Sequence, residues 1–301
     1  MDEPASKEQA PARRVSGDPT VAVAFGGGGA RGLSHIHIIR ALDDMGIRPV
    51  AISGASIGAI MGAAMASGMT GEEIREYTLG LAGNRADIVA RLFRRPASVA
   101  AAVDRGFRIG QFDVQRIVQN FMPDVIPHEF SALDIPLHVV ATDFYGHHET
   151  VFSEGDLWSA IAASAAIPAL FRPVRRDGRI FIDGGIFNPV PYDHILGKAD
   201  LVLGIDVVGT PRGDPRHIPK PIDSLYGTSQ LMMRSILKLK LQIRPPDVFI
   251  QPPVSNFRVM DFLKAQQIIK ATEPVYDEVR RKLERAIEKR IREPAGHDAA
   301  L

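Results

Sequence analysis

The sequence contains no cysteine, no long apolar run and almost no net charge. The absence of cysteine excludes disulfides, thiolate metal sites and a cysteine nucleophile. It also fits a reducing compartment, so we expect a cytoplasmic protein, peripheral at a membrane at most. Without about 18 consecutive apolar residues, no spanning helix is expected. A formal net charge of +1 provides no global attraction to polyanions, and we therefore expect no nucleic-acid partner.

The composition is that of a globular chain with a substantial core. Hydrophobic residues make up 45% of the 301 positions, an ordinary share for a folded domain. We predict one domain over residues 20–292, between a disordered tail over 1–19 and a flexible tail over 293–301. The first tail is polar and lacks the apolar segment of a secretory signal.

Short apolar runs alternate with helical stretches along the chain. Strands at 21–25 and 47–53 are each followed by a glycine turn and a helix, which predicts parallel strands with a right-handed crossover. Further strands are predicted at 135–142, 149–153, 171–174, 179–182, 201–207 and 247–250. Further helices are predicted at 157–166 and 224–243, and residues 259–292 are expected to be largely helical with breaks near Pro274. The pattern predicts an α/β fold with a mainly parallel central sheet and a helical, cap-like region over 71–127.

A glycine-rich loop follows the first predicted strand. Gly27, Gly29 and Gly32 form a G-x-G-x-x-G pattern, which alone is a weak sign of dinucleotide binding. That function expects an acidic residue at the end of the second strand, where this chain has Ser53 and Gly54. A Gly-Lys-Ser/Thr phosphate loop is also absent. Nucleotide binding is therefore disfavoured.

A second glycine turn contains a serine. Residues 54–58 read Gly-Ala-Ser-Ile-Gly, a G-x-S-x-G pattern between a predicted strand and a predicted helix. In a nucleophile elbow this sharp turn lifts the serine oxygen clear of the sheet, at a helix N-terminus that favours negative charge. The same pattern also arises by chance in an ordinary tight turn. Ser56 is the candidate nucleophile.

A serine nucleophile requires backbone N–H donors for the oxyanion of the tetrahedral intermediate. The sequence offers the amides of Gly27, Gly28 and Gly29 in the first loop, together with that of Ile57 after the serine. Arg31 has two interpretations: it anchors this loop, or it attracts an anionic head group.

The proton acceptor is less obvious from the sequence. None of the nine histidines lies in a catalytic motif, and His194 is the one credible triad candidate. No metal-ligand spacing is present, so we predict neither a metal nor another cofactor. Asp183 ends a predicted strand before Gly184 and Gly185, where α/β sheets place active-site groups. An aspartate there is equally compatible with a simple turn.

Taken in order, these motifs resemble the patatin-like phospholipase family. Residues 27–32 resemble its oxyanion loop, residues 54–58 its nucleophile elbow, and residues 183–185 its Asp-Gly-Gly/Ala motif. Residues 163–171, 188–189 and 204–207 also match, so the similarity covers roughly residues 21–208. The residues that support the motifs are Arg31, Gly32, Gly54, Gly58, Gly184 and Gly185.

The resemblance implies a compact three-layer α/β/α fold of the bacterial type. It also implies a Ser56–Asp183 dyad, no cofactor, and hydrolysis of acyl esters of phospholipids, lysophospholipids or neutral lipids, so that the partner is a lipid substrate. Two alternatives stay open. One is an α/β-hydrolase triad that adds His194, disfavoured because the elbow follows only two strands and the acid and histidine are close in sequence. The other is a non-catalytic lipid-binding or regulatory protein on the same fold.

A basic amphipathic stretch over residues 231–240 also has two interpretations. It lies on a membrane surface, or it packs on the sheet with its lysines solvated. The second is favoured, because surface helices of globular domains commonly carry such an apolar stripe. Transient membrane contact is kept as a hypothesis. The sequence leaves the head group, the acyl-chain length and the oligomeric state open.

Overall fold

The computed structural model describes residues 18–83, 112–214 and 216–293. Most of the two predicted tails lies outside the described residues, as does the central part of the predicted cap-like region. The parts of that region that flank the gap are mainly helical, over Gly71–Gly83 and Val114–Phe121.

The described chain forms a single mixed sheet with helices packed around it. The strands are β1 (Val21–Phe25), β2 (Ala51–Ala55), β3 (Leu137–Asp143), β4 (His148–Phe152), β5 (Val174–Arg176), β6 (Arg179–Asp183), β7 (Leu201–Ile205) and β8 (Val248–Ile250). The α-helices are α1 (His35–Asp44), α2 (Ile57–Ala66), α3 (Gly71–Gly83), α4 (Val114–Phe121), α5 (Leu157–Ser164), α6 (Pro221–Ile243), α7 (Ala265–Thr272) and α8 (Val275–Arg292). Short 3-10 helices occupy Gly29–Ser34, Phe130–Ala132, Gly184–Ile186, Tyr192–Ile195 and Asp261–Lys264.

The centre of the sheet is parallel. Strands β3, β2, β1, β7 and β8 run side by side in that order and in one direction. Strands β4, β5 and β6 are antiparallel and lie on the β3 side. The prediction of an α/β fold with a mainly parallel sheet is confirmed. As in other parallel sheets, the carboxyl ends of β1, β2 and β7 meet at one edge, where sites are usually built.

Strand β3 changes its partner halfway along its length. Its first half pairs with β2 up to the Ala55–Val140 pair, and its second half pairs with β6 from the Ala141–Asp183 pair onward. Strand β4 overlaps both halves, so it occupies the other side of β3. Strands β2 and β6 therefore meet end to end on the same side. This register places Asp183 directly beyond the end of β2, where Ser56 follows.

Both faces of the sheet are covered, as the alternation along β1 requires. Val21, Val23 and Phe25 face the larger core, which α1, α2, α5, α7 and α8 complete. Ala22 and Ala24 face the smaller core, which includes Tyr192 and Leu237 of α6. The small side chains on this second face let the 3-10 helix Tyr192–Ile195 approach the sheet closely. The result is the expected three-layer arrangement.

Some predicted boundaries differ from the observed ones. Strand β2 begins later than expected and runs on to Ala55, because Gly54 and Ala55 still pair with β3. The interruption predicted near Pro274 is observed, since α7 ends at Thr272 and α8 begins at Val275. Within the described ranges, no helix is both long enough and apolar enough to cross a bilayer.

Candidate active site

Ser56 occupies a sharp turn between β2 and α2. Its backbone dihedrals are φ 55° and ψ −125°, in a region that side-chain-bearing residues seldom adopt. Such a conformation costs about 1–3 kcal/mol and persists only where the surroundings enforce it. Gly58 shows that enforcement, since a Cβ there would collide with the carbonyl oxygen of Phe25. The tight packing of α2 against β1 holds the serine in its turn.

Ser164, at the end of α5, fixes the backbone of the nucleophile. The N–H of Ser56 donates to Ser164 Oγ at 2.8 Å, and that hydroxyl donates to the carbonyl of Val140 at 2.5 Å. The same carbonyl lies so close to Gly184 that no Cβ fits there. Val140, at the partner switch of β3, therefore connects the serine turn to the aspartate turn. Sequence reasoning gave Ser164 no role, although it lies in the segment 163–171 that carried part of the resemblance.

Asp183 ends β6 and faces Ser56. Its carboxylate accepts a hydrogen bond from the N–H of Gly185 at 2.8 Å, and Ser56 is the side chain that interacts with it. The hydroxyl of Thr142 donates to the backbone carbonyl of Asp183 at 2.9 Å and fixes the main chain at that residue. Burial raises the pKa of Asp183 to about 6, although its interactions with the Ser56 side chain and with the N–H of Gly185 oppose that rise. The side chain is thus a carboxylate poised to take a proton near neutral pH.

The glycine loop supplies backbone N–H groups that face the serine. Gly28 and Gly29 line the same cavity as Ser56 and Asp183. Within the described part of the chain, neither their N–H groups nor that of Ile57 is paired with an acceptor. Three expected oxyanion donors are therefore available.

Gly27 differs from the other expected donors. Its N–H donates to the carbonyl of Pro189 at 2.9 Å and is thereby committed to holding the loop. The expectation that Gly27 contributes to the oxyanion hole is corrected on this ground. Gly29 follows at φ 61°, and a Cβ there would collide with the carbonyl of Val259, so this position requires glycine.

Arg31 anchors the loop. Its Nε donates to the carbonyl of Phe257 at 2.7 Å, and one terminal nitrogen donates to that of Val208 at 2.6 Å. The side chain is 5% exposed, and burial lowers its pKa to about 10 while Asp261 opposes the shift. These contacts favour the anchoring interpretation of Arg31 over recognition of a head group.

His194 lies in a separate cluster. Its Nε2 is 3.2 Å from Glu149 and 3.9 Å from Asp193, and the hydrogen bond with Glu149 raises its pKa. The ammonium of Lys240 lies 2.5 Å from Asp193 and compensates the negative charge of that carboxylate. The contacts of His194 within the described residues do not include Ser56 or Asp183, so the geometry does not form the alternative triad.

A mostly apolar cavity opens beside Ser56. One wall comes from Ile167, Pro168 and Ile186, and the facing wall comes from the first half of α6. The residues that α6 contributes are Leu225, Tyr226, Ser229, Gln230 and Met233. Sequence reasoning missed this wall. The helical spacing of those five positions was the available signal, but nothing in the sequence placed the helix over the serine.

These parts together suit nucleophilic acyl transfer. Such chemistry requires a hydroxyl on a base, unpaired donors where a negative charge develops, and a dry pocket that holds the acyl group. Ser56, Asp183 and the amides of Gly28, Gly29 and Ile57 supply the first two, and the apolar cavity supplies the third.

Comparison with known proteins gives a consistent result. The family model for patatin-like phospholipases matches residues 23–196. An NTE family protein of Mycobacterium tuberculosis, described as uncharacterized, is 36% identical over 204 residues, which cover 67% of this chain and 53% of the relative. Human patatin-like phospholipase domain-containing protein 6 is 26% identical over 288 residues, which cover 85% of this chain and 20% of that protein. The chain thus spans about half or less of the length of these relatives.

Among solved structures, the crystal structure of VipD from Legionella pneumophila superposes with a TM-score of 0.50. The match covers 90% of this chain and 68% of VipD at 14% identity. At that identity the likeness concerns the fold alone.

Proposed function

The chain belongs to the patatin-like phospholipase family, and from that premise we propose that it is a serine acyl-hydrolase. Its substrates are fatty-acyl esters of phospholipids, lysophospholipids or related lipids. The observation that carries the proposal is that Ser56 lies in one apolar cavity with Asp183, a buried carboxylate whose pKa is raised to about 6. A carboxylate with that pKa is ionised at neutral pH and is a stronger base than an ordinary aspartate.

In the first half-reaction Asp183 removes the proton from Ser56 Oγ, which attacks the carbonyl carbon of the ester. The resulting oxyanion accepts hydrogen bonds from the amides of Gly28, Gly29 and Ile57. The intermediate collapses to an acyl-enzyme, and the alcohol leaves with the proton held by Asp183. The apolar cavity under α6 holds the acyl chain and excludes water from the carboxylate.

In the second half-reaction a water molecule enters the space that the alcohol vacated. Asp183 takes one proton from it, and the hydroxide attacks the acyl carbonyl. Collapse of the second intermediate releases the fatty acid and returns the proton to Ser56. Apart from the ester, water is the only reactant consumed.

The proposal is tested by fluorophosphonate labelling followed by intact-mass analysis, together with hydrolysis of p-nitrophenyl esters of two chain lengths. We expect one adduct on wild type, none on Ser56→Ala, and a loss of kcat of at least about 1,000-fold in both Ser56→Ala and Asp183→Asn.

Ser229→Ala is the matched control, because this second serine lines the same cavity and donates to the carbonyl of Leu225. We expect it to keep the adduct. Full activity in Ser56→Ala or Asp183→Asn contradicts the dyad. A wild-type protein that neither labels nor turns over supports the lipid-binding alternative instead.

A further inference from the structure

Helix α6 carries an apolar stripe on its outward face. Leu225, Met232, Leu239 and Ile243 follow one another at intervals of seven, seven and four residues, which places them along one line of the helix. Met232 is 60% exposed, Leu239 58% and Ile243 84%. The stripe extends over roughly 27 Å, at about 1.5 Å per residue. A stripe that would normally face a core here faces solvent.

The inward face of the same helix is apolar as well. Tyr226 and Met233 face the active-site cavity, and Leu237 is 3% exposed in the smaller core. The favoured expectation, that the apolar residues of this stretch pack on the sheet, therefore describes only one side of α6. A helix that is apolar on two sides is normally buried on both. An exposed apolar patch of this kind marks a surface that meets a partner.

The stripe is continuous with the opening of the active-site cavity. Leu225 belongs to both, since it begins the stripe and lines the cavity. Val259 lines the cavity from the other side, and the loop that follows it exposes more apolar side chains. We call the outward stripe and this loop the mouth patch, which consists of Leu225, Met232, Leu239, Ile243, Met260, Phe262 and Leu263.

The charges around α6 are mostly of one sign. Residues 220–244 contain five cations, Lys220, Arg234, Lys238, Lys240 and Arg244, and one acid, Asp223. Two of the cations are compensated, because Lys240 pairs with Asp193 and Arg234 lies 3.8 Å from Asp206. The other three are exposed at the beginning, the middle and the end of the helix. In a chain with a net charge of +1 this is a local concentration of positive charge.

We propose that the mouth patch docks onto an anionic phospholipid surface, with α6 lying flat along it. The stripe enters the boundary between head groups and acyl chains, and Lys220, Lys238 and Arg244 contact lipid phosphates. This docking turns the opening beside Ser56 toward the membrane, so that an acyl chain passes from the lipid into the cavity without crossing water. The inference deepens the proposed function and rests on it for the lipid nature of the substrate.

Charge favours a lipid surface over a second copy of the chain. A two-fold contact through α6 places the same patch on both sides of the interface. The exposed cations of one copy then face those of the other, and like charges across an interface oppose association. An anionic head-group layer complements them.

The binding test uses the full chain carrying Ser56→Ala, so that vesicles are not hydrolysed during the measurement. Flotation is compared on phosphatidylcholine vesicles with and without phosphatidylglycerol, at low and at high salt. We expect flotation with the anionic vesicles at low salt, and a loss of at least about tenfold in partitioning when the anionic lipid is omitted or salt is raised.

Two sets of substitutions in the same background locate the contact. Met232→Gln, Leu239→Gln and Ile243→Gln together remove the stripe, and Lys238→Gln with Arg244→Gln removes two charges. We expect each set to weaken partitioning at least about tenfold. The matched control replaces three exposed apolar residues outside the patch, Val50→Gln, Val125→Gln and Ile291→Gln, and we expect it to float like the parent. Circular dichroism checks that every variant is folded.

A second measurement separates docking from catalysis. With Ser56 restored, the stripe variant should hydrolyse a short soluble ester at the wild-type rate but vesicle lipid at least about tenfold more slowly. A wild type inactive on both substrates refutes the proposed function, while flotation of Ser56→Ala still tests the docking. Failure of Ser56→Ala to bind anionic vesicles at low salt overturns the inference, as does a stripe variant that binds like the parent. A dimer that the stripe substitutions dissociate, without vesicle binding, assigns the patch to a second copy.

Discussion

Two residues at the site are held in states that the unfolded chain does not favour. Ser56 keeps its strained backbone at φ 55°, and Asp183 keeps a carboxylate in a dry environment that raises its pKa to about 6. The shift from 3.8 to about 6 corresponds to roughly 3 kcal/mol against the ionised form. Both features oppose folding and favour the proposed chemistry, which is the usual relation between stability and function at an active site.

The strain at Ser56 predicts an unusual order of stability among variants. Ser56→Gly should unfold with a free energy about 1 kcal/mol higher than Ser56→Ala, because glycine adopts the observed dihedrals without a steric penalty. Urea denaturation of the two inactive proteins measures the difference. Equal stabilities would mean that the turn is not strained in solution.

The raised pKa of Asp183 predicts the pH dependence of the reaction. The base acts in its ionised form, so kcat/KM for a soluble ester should fall tenfold per pH unit below about pH 6. Initial rates well below KM over a range of buffers give the profile. If the fall in kcat/KM instead began near pH 4, the carboxyl of Asp183 would be more exposed to solvent than the structure describes.

At the residue scale, the sequence predicted those parts of the site that lie within compact motifs. Ser56 and Asp183 were identified because each stands in a short glycine-flanked segment after a strand. Gly27 was assigned wrongly, since the partner of its N–H is the carbonyl of Pro189, far away in the chain. Ser164 was missed for the same reason, because its role depends on a contact with Ser56 that only the folded sheet creates.

At the scale of elements, the site depends on three neighbouring structures. The partner switch in β3 aligns the ends of β2 and β6. The end of α5 ties the two turns together through Ser164, and α6 closes the cavity above them. Periodicity predicted that these strands and helices exist. It did not predict the change of partner along β3, because strand register depends on how two segments pair and cannot be read from either segment alone.

In the proposed reaction we expect Ser164 to act through the backbone of Ser56, as a positioning residue. Ser164→Ala leaves the N–H of Ser56 without its acceptor and removes the donor to the carbonyl of Val140, at a cost of about 1–3 kcal/mol. We expect kcat to fall about tenfold or more while KM for a soluble ester changes little, since the cavity wall is untouched. Steady-state kinetics at several temperatures separate this effect from partial unfolding.

Ser53→Ala is the matched control for that variant. Ser53 is also fully buried, and its hydroxyl donates to the carbonyl of Pro191 at 2.8 Å. It should lose comparable stability and keep kcat. Ser164→Cys, which retains a weak donor and acceptor, should recover part of the lost rate. If kcat fell equally in Ser53→Ala and Ser164→Ala, the role of Ser164 would be structural only.

At the scale of the whole molecule, two buried groups respond to acid in opposite directions. His35 is held neutral, because burial lowers its pKa to about 4 even though its ring donates to the carbonyl of Gly26. As pH falls from 6.5 to about 4, the unfolded chain binds this proton first, and roughly 3 kcal/mol of stability is lost. Asp183 behaves in reverse: between about pH 6 and 3.8 the folded chain binds the proton first, and stability is gained.

Removing the Asp183 carboxylate should change how the free energy of unfolding depends on pH. We expect Asp183→Asn to be more stable than wild type by about 3 kcal/mol at neutral pH, and the gap to close as pH falls below about 4. Denaturant titrations at neutral and acidic pH measure both values. A gap that is independent of pH would show that the carboxylate is not the source of the difference.

The partner switch in β3 also bears on how the protein is made. About 130 residues of chain separate the serine from the aspartate, so a ribosome adds the aspartate on the order of ten seconds after the serine. Until β6 has been translated and has paired with β3, Ser56 has no Asp183 carboxylate beside it. Under the proposed mechanism the emerging polypeptide therefore has no dyad with which to attack the lipids around it, and we expect activity to begin only when the sheet is nearly complete.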